Sequence, residues 1–446
     1  MRRKLAGALR ATVAVALSAA FVLGVLVALS HLVMPKNNQA EFGQIDASAH
    51  GVAGERPNSI DVLFMGDSEA YSSFSPLDLW HARGITSYVV ATSSQKLPYT
   101  RSLLAYALAR QSPRVVVLDA NCLFRPFSPG DALVRAAQDA LPVFEYHNRW
   151  KSLTLEDVVG TVRTTWSDEL KGFHLSAKVD PADASGYQTP TDRVASMPAL
   201  SMAYLRDIAR ICAERDARLV LVSTPSTKNW DMAKHNRVRL VAEELGVDYV
   251  DLNMGDERVD IDWSTDTRDA GDHLNLSGAR KVTARMGELL SGRYGLEGHR
   301  GDPAFDSWDE AYSRYEFSTE GIPMGAVVTI FGTGAEMNNG AVITNEETKQ
   351  KNGMGGSFHS FAVLDPAYTL SAPMRQALSG AFDMLSHSME TYFGTPYDNN
   401  LSDRIALANM RCIIDNTRAM IASPDDLAPR GAPPHIPGKP VWRSAS

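Results

Sequence analysis

A serine hydroxyl attacks well only when a base takes its proton, an acid orients that base, and donors wait for the developing oxyanion. This chain offers those residue types in order. The apolar run Val62-Leu63-Phe64-Met65 ends in Gly66-Asp67-Ser68-Glu69, and far downstream stands Asp269-Ala270-Gly271-Asp272-His273-Leu274-Asn275. Ser68 is the candidate nucleophile, His273 the candidate base, and Asp269 or Asp272 the orienting carboxylate. Asp269 is preferred, because a neighbour at minus one tends to point away from the imidazole. Asp272 also reads as a cap on the following helix. A second pair, Asp383 and His387, lies one helical turn apart and so on one face of a helix.

The elements that must position these groups alternate. Asp61–Met65, Ser87–Ala91, Arg114–Leu118, Arg218–Val222 and Asp248–Asp251 read as strands, while Thr100–Arg110, Met202–Arg215 and Ser277–Leu290 have helical apolar spacing. Alternation of this kind predicts an α/β fold, a parallel sheet flanked by helices. In such sheets the site lies at the carboxyl ends of the strands, where Ser68 falls. Between Leu123 and Pro198 lies a less regular insert that could cap the site.

The first set of motifs resembles the SGNH (GDSL) serine hydrolases over roughly Glu55 to Tyr315. That resemblance implies a flavodoxin-like sheet, with the side-chain oxyanion donor at Asn121, just beyond Val115-Val116-Val117-Leu118-Asp119-Ala120. The second, backbone donor falls at Ser94, where glycine is common. The family usually has its Asp three positions before the His, and that position here is Ala270. Within the family, the membrane-tethered branch that handles envelope polymers is the most similar. The activity implied is an O-acyl esterase or O-acyltransferase on acylated cell-envelope glycans or polymers, with no cofactor. A non-catalytic glycan-binding subunit is a further alternative.

Beyond about Phe317 the text changes. Gly321-Ile322-Pro323-Met324-Gly325 opens a stretch that continues through Phe361-Ala362-Val363-Leu364-Asp365-Pro366 to Gly380-Ala381-Phe382-Asp383-Met384-Leu385-Ser386-His387. It resembles the iron-containing, butanol-type alcohol dehydrogenases. The resemblance implies that Asp383 and His387 ligate a metal, iron or zinc, and that NAD(P) is the co-substrate. The family's other two ligands are later histidines, and the only later one here is His435. The Gly-Gly-Gly-Ser pyrophosphate turn has no counterpart upstream. On this reading the segment is a truncated α/β-to-helical fragment, and a metal- and NAD(P)-dependent alcohol dehydrogenase is the alternative function.

Length, charge and the N-terminus set the frame. The chain has 446 residues, 44% of them hydrophobic, and a net charge of −8, which excludes the basic footprint of a nucleic-acid binder. Its three cysteines make neither a disulfide framework nor a zinc pattern. Arg2, Arg3, Lys4 and Arg10 precede an uncharged stretch from Ala11 to Met34, long enough for one membrane-spanning helix with a cytoplasmic N-terminus. The expected organisation is an anchor over 1–34, a polar stalk over 35–57, a hydrolase-like domain over 58–315, the dehydrogenase segment over 317–423 and a disordered tail over 424–446. The expected location is the cell membrane, single-pass, with the catalytic domain outside the cytoplasm. The composition leaves the oligomeric state open.

Overall fold

Parallel strands covered on both faces must be apolar at nearly every position; of the five central strands, the first four meet that demand and the last, a half-buried edge strand, relaxes it. They are β1 (Val62–Gly66), β2 (Ser87–Ala91), β3 (Val115–Asp119), β4 (Arg218–Ser223) and β5 (Asp248–Asp251). In the computed structural model they form one parallel sheet in the order β2-β1-β3-β4-β5, a doubly wound arrangement. Register is set with Val62 opposite Ser87 on one side and Val115 on the other. The structure describes residues 2–319, 324–332, 334–338, 340–346, 349–355, 358–394 and 401–431. Gly321–Pro323 and His435 lie outside these residues.

The helices are α1 (Arg2–Val33), α2 (Ser68–Ser73), α3 (Pro76–Arg83), α4 (Leu97–Leu108), α5 (Pro129–Ala140), α6 (Ser201–Ala213), α7 (Met232–Leu245), α8 (Leu276–Gly292) and α9 (Asp306–Thr319). Strand alternation sends Leu63, Met65, Val116, Leu118 and Leu221 to one side, where they pack with Leu103 of α4, Leu205 of α6, Val238 of α7 and Trp308 of α9. Val62, Phe64, Val117, Val220 and Val222 face the other way, against Leu79 of α3 and Val282 and Met286 of α8. Each fully buried side chain of this kind contributes about 1.5–3 kcal/mol.

The span 35–57 is not an extended stalk. It folds into short helical turns whose Ala49 and Val52 join the first core cluster. These two apolar residues have nowhere better to go than the sheet face beside Tyr88. Arg149 Nη1 donates to the Val33 carbonyl at 2.6 Å, and Val143 N donates to Ser30 Oγ at 3.1 Å, tying the end of α1 to the insert. From Lys171 to Ala182 the insert runs over the strand ends, with Val89 N donating to Lys171 O and Asp180 N to Thr267 O, each at 2.9 Å.

Contacts divide the chain into two units, 1–315 and 316–446. In the second, β6 (Gly325–Val327) pairs in parallel with β9 (Phe361–Val363), and β7 (Gly340–Asn345) forms an antiparallel pair with β8 (Gln350–Gly355). Helices α10 (Met374–Tyr392) and α11 (Leu401–Ala422) pack on one another. Phe361, Phe382 and Leu401 remain largely exposed. The expected tail is partly ordered, since Arg430 Nη1 donates to Thr369 O at 2.8 Å. The rest of it, 432–446, lies outside the described residues.

The cap of α8 is Asn275, not Asp272. Its side chain accepts from Ser277 N at 3.0 Å and Gly278 N at 3.3 Å, while its amide donates to Thr265 O at 2.7 Å and Lys178 O at 3.1 Å. Asn275→Ala should therefore lower the unfolding free energy by about 2 kcal/mol, the upper end for an N-cap. Asn275→Asp, which keeps the acceptor, should lose less. Denaturant midpoints of the three proteins give the order; equal midpoints would remove the cap assignment.

Candidate functional site

Strand β1 ends at Gly66, whose φ of +152° and crowding both require glycine. An added Cβ would sit 2.8 Å from Asp119 Cβ and 3.1 Å from Ala70 Cβ. The next residue, Asp67, is fully buried and caps α2 by accepting from Glu69 N at 3.1 Å. Its Oδ2 also accepts from Arg125 Nε at 2.6 Å and Asn121 Nδ2 at 3.3 Å. Ser68 is consequently held as the first residue of α2, and Glu69 is driven into the interior behind it.

The loop before α8 brings the imidazole. Gly271, at φ +88°, fits where a Cβ would strike Thr227 Oγ1 and Ala182 Cβ, so this loop can close on both neighbours. Asp269 receives the His273 backbone N–H at Oδ1 (2.6 Å) and pairs through Oδ2 with ring Nδ1 (2.7 Å). A carboxylate only accepts, so Nδ1 donates and the lone pair is left on Nε2. Asp272 Oδ2 is 4.0 Å from Nδ1, and the amide of Asn229 donates to its Oδ1 instead. Asp269 is thus the orienting acid in this geometry.

The structure brings Asp269 and His273 together but does not join them to Ser68. Nε2 of His273 is buried without a hydrogen-bond partner among the described residues, so the serine–histidine bond is not made. Asn121 is occupied at both ends of its amide, by Asp67 and by Lys234 Nζ at 3.1 Å. Ser94 is exposed and sits in the left-handed region at φ +52°, a position glycine would fill without strain.

Four neighbours had no motif to announce them: Glu69, Arg125, Asn229 and Lys234. Asn229 donates to both Glu69 and Asp272, and Lys234 also reaches the Asn229 carbonyl. The charge balance is unusual. Burial, then the charges of Asp67 and Asp119, raises the Glu69 carboxyl well above its ordinary range. Asp119, which accepts from Thr224 Oγ1 at 2.7 Å, is raised by burial and by Asp67. At Asp269 burial pulls upward, yet the two His273 hydrogen bonds, with the charges of His273 and Arg268, bring the carboxyl below its usual value.

In the second unit, Asp383 and His387 stand on α10 with Oδ1 and Nε2 3.8 Å apart, both partly exposed. Gly380 lets the Phe331 carbonyl come close, since a Cβ there would lie 2.1 Å from that oxygen. The loop so placed, α10 and α11 enclose a cleft of about 530 Å³ lined by Phe331, Met384, His387, Asn409, Ile413 and Met420, among others.

The model of the iron-containing alcohol dehydrogenase family matches residues 300–366. A probable NADH-dependent butanol dehydrogenase of Bacillus subtilis is 36% identical over 118 residues, 26% of this chain and 30% of that protein. The chain therefore spans less than a third of this relative's length. Among solved structures, a butanol dehydrogenase of Thermotoga maritima aligns over 58% of this chain and 62% of its own at 22% identity and a TM-score of 0.24. A GDSL-like lipase of Bacteroides thetaiotaomicron aligns over 55% of this chain and 95% of its own at 12% identity and a TM-score of 0.29. TM-scores this low decide nothing about fold.

These sequence matches fall on a minor part of the chain and carry the dehydrogenase signature. They correct the expectation of a serine esterase or O-acyltransferase in favour of its alternative, the iron-containing alcohol dehydrogenase. The expectation of no cofactor is corrected with it, because that family implies iron and NAD(P).

The Asp269–His273 pair has a pH signature. A carboxyl whose folded pKa is depressed stabilises the fold above its unfolded value, about 3.9, and the contribution is lost as pH falls through the folded value. Wild type should therefore be more stable than Asp269→Asn at pH 7, with the gap closing below about pH 3.9. Thermal midpoints at pH 7 and pH 3 measure this; an equal gap at both would dissociate Asp269 from His273.

Proposed function

We propose that the chain takes part in alcohol–aldehyde oxidoreduction of the iron-containing alcohol dehydrogenase kind, through the segment after Tyr315. The observation that carries this reading is the 36% identity over 118 residues to a butanol dehydrogenase. The placement of His387 in the lining of an apolar cleft, with Asp383 3.8 Å from its ring, supports it. Phe331, Met384, Ile413 and Met420 suit the hydrocarbon part of a short alcohol, while His387, Ser388 and Asn409 supply a polar side.

The donor set does not fit a complete metal centre. Among the described residues, no third His, Cys, Asp or Glu ligand atom joins Asp383 and His387. Two donors, both partly exposed, bind a transition metal weakly. The role of this chain's own residues is to hold the hydrocarbon in the cleft and to present His387 beside it.

The N-terminal helix is proposed as a single membrane span. Thr12–Val33 is long and apolar enough, with none of its most apolar window buried in the protein. Basic residues ahead of it favour a cytoplasmic N-terminus. A unit facing outward would meet little nicotinamide cofactor, so the assay belongs on purified full-length protein. With ferrous or zinc ion added, butyraldehyde should drive NADH or NADPH oxidation. His387→Ala should reduce it by about 100-fold, the scale on which a positioned proton-transfer group contributes. No aldehyde-dependent oxidation by wild type, with either ion and either cofactor, would overturn the reading.

A further inference from the structure

Two buried atoms at the carboxyl end of the central sheet have no partner among the described residues: Oε2 of Glu69 and Nε2 of His273. Glu69 is only 1% exposed, and among the described residues no Lys or Arg pairs with it. The two nearby cations are committed elsewhere. Arg125 is bound to Asp67 at 2.6 Å, and Lys234 to Asn121 and the Asn229 carbonyl. A buried carboxylate without a counter-charge is expensive, and Asp67, Asp119 and Asp272 add to the negative potential around this one.

One ligand atom from each of Glu69, Asp272 and His273 lies within 4.8 Å of the others. We propose that these three side chains form a divalent-cation site, best suited to zinc or a similar first-row ion. One imidazole and two carboxylates are a donor set that such ions accept, leaving further positions for water. The outer shell is already in place. Metal-bound histidines usually donate their other ring N–H to a carboxylate, and His273 Nδ1 does so to Asp269 at 2.7 Å. Asn229 braces both carboxylates by donating to Glu69 Oε1 and Asp272 Oδ1, which leaves Glu69 Oε2 free to ligate. Asp272 has a 39% exposed side chain, so an ion can enter from that side. Ser68 precedes Glu69 directly in α2.

The inference is independent of the dehydrogenase reading, and the test keeps the two apart. Full-length protein stripped with EDTA would be titrated with Zn²⁺ alone by calorimetry and with Co²⁺ alone by visible absorption. One ion per chain should bind and persist in His387→Ala. Asp269→Asn should weaken it about 10–100-fold, and Glu69→Gln by at least as much. His273→Gln should abolish the cobalt ligand-field bands, with circular dichroism reporting that the variant is folded. Should His273→Gln not fold, Asp269→Asn and Glu69→Gln decide the matter. Binding that survives Glu69→Gln and Asp269→Asn unchanged, or that disappears in His387→Ala, would overturn the proposal. So would labelling of Ser68 by a fluorophosphonate probe to the same extent with and without zinc, since Nε2 would then serve the serine hydroxyl.

Discussion

The buried carboxylate of Asp67 is the interaction on which the first unit's site depends. It ends β1, caps α2, takes the Arg125 guanidinium at 2.6 Å and fixes the Asn121 amide. Removing one partner of a buried ion pair costs about 3–5 kcal/mol because the other charge is stranded. Here the stranded charge would be Arg125, whose side chain is 30% exposed beside the loop that leaves β3, so water would recover part of that cost. Ser68 and Glu69 have their positions only because the turn before them is held from three directions. Among the described residues, Asp383 and His387, 3.8 Å apart on one helix, have only Glu390 of the same helix beside the imidazole, at 3.7 Å.

The sheet was legible because its strands satisfy a strict rule. Ser87–Ala91 and Asp248–Asp251 are read from the sequence with their observed limits, and β1, β3 and β4 are each displaced or extended by one residue. Helix α7 was missed, although its Val238 and Val241 are buried, because Lys, Arg and Glu crowd its other faces and blur the apolar stripe. The short α3 did carry a signal, Ser75 followed by Pro76 at the first helical position. Asn229 and Lys234 could not be found by spacing. They reach the site from the loop after β4 and the start of α7, and only the folded sheet brings those next to α2.

The two units differ in how completely they bury themselves. In the first, apolar residues of the sheet are enclosed on both faces, and the core clusters draw on helices from Ala49 to Tyr315. In the second, two separate two-stranded pairs leave Val342, Ile343 and Phe361 more than half exposed. Isolated two-stranded pairs are marginal in water. A segment matching about 30% of a dehydrogenase's length has the motifs of that family without the layers that would cover them. Sequence identity and structural completeness are separate properties here, and the dehydrogenase reading draws on the first.

The way α1 joins the first unit has a mechanical consequence. Its Val33 carbonyl is gripped by Arg149, itself held by Asp157 at 2.8 Å, its His31 carbonyl takes the Lys36 ammonium, and the following residues enter the core within a few turns. With α1 in a bilayer, no slack tether separates lipid from protein. The folded unit would ride at a fixed height and tilt, sweeping a thin layer rather than a hemisphere above the membrane. Reactants would have to come to that layer. Between Met34 and Glu55 a protease would meet only short exposed turns, at Ala40–Glu41 and Ile45–Asp46, rather than an open linker.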